Sequence, residues 1–195
     1  MRSRGFAVAA ACLLAATPCA ASDFDWHHPD DQKRLIAAFD NISNMCAELG
    51  FTRQPKLPAD AMHKKLEAHL LLATSADYML ERWAGILHAF NELDAMKDDK
   101  GLADRGADAL IAASKDPDSY AKAEALYIET VMGPVREAKA GCDKIAADEF
   151  LGKFFLTGTG SVERFTAEAK KNFADSVADV SDYSGKVARD VAKKK

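Results

Sequence analysis

The residues of this 195-residue chain best equipped for chemistry are its five histidines, His27, His28, His63, His69 and His88. Neutral imidazole is the commonest protein ligand for metal ions. The most favourable arrangement sets Met62, His63 and His69 on one helix against His88 or Met79 on the next. Such a thioether and imidazole set suits copper, or a haem held by His and Met. The stretch 23–31 adds a second candidate, in which acids beside His27 and His28 offer a chelating arm to Cu(II) or Zn(II). Spacing argues against a tight site. There is no HExxH, no ExxH and no pair of histidines at i,i+4. His63 and His69, six residues apart, are expected on opposite faces of their helix. Met62 and Met79 fall on apolar stripes, where methionine fills gaps. The expectation is surface or individually satisfied histidines without a cofactor, with copper, zinc or haem as the alternative ligands.

Nucleophilic chemistry is less well served. Ser75, Ser114, Ser119 and Ser161 stand at helix starts or turns, where a hydroxyl caps backbone donors, and none sits in a G-x-S-x-G elbow. The GTGS run at 158–161 precedes a helix and offers free amides to an anion. It lacks the lysine of a P-loop and the preceding strand of a dinucleotide site, so a glycine hinge capped by Ser161 is expected. Carboxylates scatter over helix faces, and the Asp and Lys cluster at 94–100 does not match a calcium loop. No catalytic set emerges. A cell-envelope enzyme with a site assembled from distant residues is the third reading. None of these motifs carries a family resemblance.

The elements that must position these residues are helices. In the stretch 75–96, Met79, Leu80, Trp83, Ile86, Leu87, Phe90 and Leu93 recur at steps of three and four, with Thr74 and Asp77 as a capping-box start. An earlier helix from Pro29 to about Leu49 buries Leu35, Ile36, Phe39, Ile42, Met45 and Cys46 and stops at Gly50. Between them, Asp60 caps a helix striped by Met62, Leu66 and Leu70, with a kink near Thr74. A short helix over 102–114 is expected to bury Ala107, Leu110 and Ile111. Asp116-Pro117 starts the next, burying Tyr120, Ala123, Leu126, Tyr127 and Val131, which Gly133-Pro134 should break or kink. Val135, Ala138, Cys142 and Ile145 resume the spacing. Phe154 and Phe155 are read as core, and Val162, Phe165, Ala169, Phe173, Val177 and Val180 mark the last helix. Strand signals are nearly absent. The predicted fold is all-α, a single-domain helical bundle of about six helices with one disulfide.

Residues 1–21 read as a signal peptide. Arg2 and Arg4 precede the apolar run 6–16, and small residues lead to cleavage after Ala21. Residues 22–30 form an N-terminal arm, 31–181 the bundle domain and 182–195 a basic tail expected to fray. No later segment approaches the ~20 apolar residues of a membrane span. Of the four cysteines, Cys12 and Cys19 leave with the leader, so Cys46 and Cys142 are expected to pair in a bacterial periplasm or outside the cell. The chain carries a formal net charge of -4; losing a leader with two arginines and no acids takes it to -6. Such a balance does not suit nucleic acid. The expected function is non-enzymatic binding of another macromolecule in the cell envelope, as an adaptor, inhibitor or immunity-type protein.

Overall fold

The structure, a computed structural model, describes residues 25, 27–96 and 100–192. The leader, Cys12, Cys19, Trp26 and the first residues of the arm lie outside the described residues, as do 193–195. Helix α1 runs Pro29–Glu48. The His28 ring accepts the Asp30 amide through Nδ1 at 3.3 Å, and Pro29 opens the helix with Asp30 and Asp31 in its first turn. The Lys33 hydrogen bond and charge hold the Asp30 carboxyl below the usual carboxylate range. Leu35, Phe39, Ile42 and Cys46 are buried at steps of three and four. Gly50, with φ of 94°, turns the chain out of the helix into Phe51, which is buried.

A two-residue strand β1 (Thr52–Arg53) pairs antiparallel with β2 (Leu156–Thr157), Thr52 opposite Thr157 and Arg53 opposite Leu156. Helix α2 (Ala59–Leu72) and helix α3 (Ala76–Ala95) are separate. Ala73 adopts extended backbone between them, so the kink expected near Thr74 is a break. Neither expected side-chain cap forms. Pro58 stands at the cap of α2 and Ser75 at that of α3, without a side-chain hydrogen bond.

Helix α4 (Lys100–Lys115) leads through a single turn, Pro117–Ser119, into α5 (Tyr120–Ala147). Asp116 caps that turn, its carboxylate accepting the Asp118 amide at 3.1 Å. Of the break or kink expected at Gly133-Pro134, the break does not occur: α5 runs on as one helix through Pro134. Packing along both halves outweighs the missing amide bond: the first half lies against α4, the second against α3 and the one-turn helix α6 (Leu151–Phe154). Helix α7 (Glu163–Ala192) closes the fold and continues past residue 182, where fraying was expected. Ser161 accepts the Glu163 amide at 3.2 Å, the capping role assigned to it.

Two apolar clusters share α5. The larger gathers Phe39, Trp83, Phe90, Ile145, Phe150 and Phe155 with the buried Cys46–Cys142 disulfide, whose Cα atoms lie 5.8 Å apart. In the smaller, Phe173 of α7 meets Tyr120 and Tyr127 at 5.2 and 5.3 Å, enclosed by Ala109, Ala113 and Ala123. Burial pushes the Tyr127 phenol up from its ordinary value. Ile111, Leu126 and Val131, expected inside, are exposed, and so is Ala107. Phe173, with the half-buried Tyr120 and Tyr127 against it, takes up the space between α4, α5 and α7, and Ala109, Ala113 and Ala123 are the small residues that let the helices close around it.

Gly141 shows how tightly the larger cluster is packed. A Cβ there would meet Phe90 Cε2 and Cζ at 2.7 and 2.9 Å, whereas one at Gly85 would meet nothing within 4 Å. Gly141→Ala is expected to lower stability by about 1–3 kcal/mol through overpacking. Gly85→Ala should raise it by about 0.5–1 kcal/mol through helix propensity. Urea midpoints of the two variants should move in opposite directions.

Candidate binding surface beside His69

Trp83 is fully buried, so its indole N–H requires an acceptor. It donates to Asp148 Oδ2 at 2.9 Å. The other carboxylate oxygen, Oδ1, accepts the amides of Phe150 and Leu151, both at 3.0 Å. Arg82 Nε stands 4.0 Å from Oδ2, adding a positive charge behind the carboxylate. One buried aspartate thus ties α3 to the turn that follows α5 and satisfies the donors that turn leaves open. Phe150 is thereby held against His69 of α2.

On the α2 side, His69 lies parallel to Trp83, with ring centroids 6.4 Å apart and planes 11° apart. Its ring is 4.9 Å from that of Phe150, which contacts Phe154 at 4.7 Å. His69 Nε2 is shielded from solvent and has no hydrogen-bond partner. Between α2 and α6 opens a shallow cavity of about 170 Å³ lined by Lys65, His69, Glu149, Phe150, Lys153 and Phe154. The Lys153 ammonium sits 5.5 Å from the Phe154 ring centre. No carboxylate among the described residues pairs with Lys65 or Lys153.

Lys65, His69 and Leu72 follow at steps of four and three, so the cavity face of α2 runs on to the corner where the helix ends. That corner exposes three large apolar side chains among the polar Thr74, Ser75 and Asp77. Leu72 is 86% exposed, Leu71 65% and Tyr78, in the first turn of α3, 64%.

The other sequence candidates do not converge. His63 is half-buried on α2, with Nδ1 shielded and unpartnered. His63 and His69 are not on opposite faces: six residues at about 100° each leave them about 120° apart, and each partly enters the surface of the core. His88 is exposed on α3, with Nε2 4.0 Å from Glu92 Oε1. Met62 is buried in the larger cluster and Met79 packs against it. His28 is committed to capping α1, and the His27 amide donates to Asp25 at 2.9 Å. Among the described residues no group of three or more His, Cys, Asp and Glu is placed to hold a metal ion.

The chain matches no protein-family model, no curated protein and no solved structure. The local geometry therefore carries the functional reading. Sequence reasoning missed Lys65, Asp148, Phe150 and Lys153 as neighbours. Two signals pointed toward Asp148: an aspartate two and three residues before Phe150 and Leu151 has the spacing of a cap, and a buried indole needs an acceptor. Nothing in the spacing joins residue 65 to residue 153.

Proposed function

We propose that the protein is exported and acts, without catalysis, as a binding module for another macromolecule of the cell envelope: an adaptor, inhibitor or immunity-type protein. The observation that carries this reading is the α2–α3 corner, where Leu71, Leu72 and Tyr78 are all more than half exposed. Single exposed apolar residues are ordinary on protein surfaces, but large ones gathered at one place mark interaction sites. The corner also needs little ordering. Leu66 and Leu70 of α2 and Trp83 and Ile86 of α3 anchor both helices in the larger cluster, so a partner meets a preformed surface. The leader-like residues 1–21 support export, and the Cys46–Cys142 bridge is of the kind that an oxidising compartment sustains. No helix among the described residues is long and apolar enough to cross a membrane.

A photo-reactive amino acid at Leu72, introduced in the native host, is expected to give a discrete adduct, and the same probe at exposed Lys122 on α5 none. Leu71→Ser should diminish the Leu72 adduct. Equal labelling from both positions, or no adduct from Leu72, overturns the reading.

A further inference from the structure

We propose that α5 bends at Gly133-Pro134, and that α4 with the outer lengths of α5 and α7 swings as one unit against the disulfide-bonded body. The fold thereby carries a hinge between its two apolar clusters. Hinges of this kind let two bodies close around a bound partner.

The two clusters divide α5 between them. Tyr120, Ala123 and Tyr127 pack with Phe173 in the smaller one, whereas Val135, Ala138, Cys142 and Ile145 pack in the larger one. The division falls at residues 128–134, and Gly133-Pro134 lies inside it. Pro134 has no amide hydrogen to give the Thr130 carbonyl, and its ring crowds that turn. Thr130 loosens the same stretch, because its Oγ1 bonds back to the Leu126 carbonyl at 2.8 Å, a contact that favours helix bending. Gly133 adds backbone freedom. A Cβ there would meet nothing within 4 Å, so close packing does not account for the glycine. Proline is the commonest cause of a bend in a helix, and here it stands between two separately packed lengths.

The other crossings of this boundary permit the swing. Helix α4 packs chiefly on α5 and α7, and it is separate from α3, which ends at Ala95. Among the described residues, α7 joins the larger cluster through Val162 and Phe165 at its start, and the smaller one through Phe173 and Val177. The Cys46–Cys142 bridge fixes the second half of α5 to α1, which leaves the first half as the moving one. From Pro134 back to Tyr120 the helix is a lever about 21 Å long at 1.5 Å per residue. A bend of about 20° displaces its far end by about 7 Å.

Double electron–electron resonance on the full oxidised chain tests the proposal, with nitroxides carried on ketone amino acids so that the disulfide stays intact. A label at exposed Lys122 of the moving unit is paired with one at exposed Glu67 of α2, and separately with one at exposed Ala37 of α1. Lys144 paired with Glu67, both exposed and both in the disulfide-bonded body, is the control. Two directions are read because a bend can leave a single distance unchanged. The Lys122 distances are expected to spread over about 7 Å more than the control, the travel that a bend of about 20° allows. P134A alone supplies the missing amide donor and should lose part of that excess. G133A/P134A should lose it entirely, with the circular dichroism of the wild type. Lys122 distances no broader than the control in the wild type overturn the proposal. So does an excess that persists unchanged in both variants, because the motion would then lie elsewhere than at residues 133–134.

Discussion

Replacing Cys46 and Cys142 together by alanine is expected to lower the unfolding free energy by about 4–5 kcal/mol, the value the chain-entropy model gives for a loop of about 100 residues. The two half-cystines are 96 residues apart, so the bridge removes a large share of the conformations open to the unfolded chain. It also joins the last turn of α1 to the second half of α5 inside the larger cluster, where both sulfurs are fully buried. Urea titration of the two forms is the measurement. The midpoint should fall, and the slope m should rise, because an unfolded chain without the cross-link exposes more surface. An unchanged midpoint would mean that the reduced chain is already restricted, and would sink the entropic account.

Asp148→Ala should cost about 2–4 kcal/mol, combining a buried indole donor left without an acceptor (about 1–3 kcal/mol) with the loss of a cap (about 1 kcal/mol). The carboxylate accepts from Trp83, Phe150 and Leu151, so three donors lose their partner in one substitution. Asp148→Asn keeps one carbonyl oxygen and should recover part of the loss. Trp83→Phe removes the donor instead and separates the indole bond from the cap. Urea unfolding of the three variants orders them. Amide exchange at Phe150 and Leu151 should accelerate in Asp148→Ala well before global unfolding, because these are the amides that the carboxylate holds. If exchange there follows only the global stability, the local role of Asp148 is wrong. The substitution also bears on the surface beside His69, since the turn that Asp148 caps carries Phe150, Lys153 and Phe154.

Helix placement and the main core were legible because apolar periodicity is a local property. Leu35, Phe39, Ile42 and Cys46 on α1, and Trp83, Ile86, Phe90 and Leu93 on α3, are buried as their spacing requires. The cysteine pairing was legible too, since only two cysteines follow the leader-like segment. The α4–α5–α7 region was misread at Ile111, Leu126 and Val131 because periodicity ranks faces by bulk. There the close approach of helices around Phe173 favours alanine instead. The break that Gly133-Pro134 allowed, as the alternative to a kink, does not occur, because the packing on both sides of Pro134 is not a local quantity.

The sequence by itself thus determined an all-α chain, the helices that build it, their buried faces in the larger cluster and the disulfide that staples two of them. Each follows from spacing within about twenty residues or from counting one residue type. Only the tertiary structure decided that Asp148 would meet Trp83, and that Lys65 and His69 would face Phe150 and Lys153 across a cavity. Those neighbours are separated by 65 to more than 80 positions along the chain. Their meeting depends on how α2, α3 and the turn after α5 dock, which is set by the packing of whole side chains rather than by any repeat in the sequence.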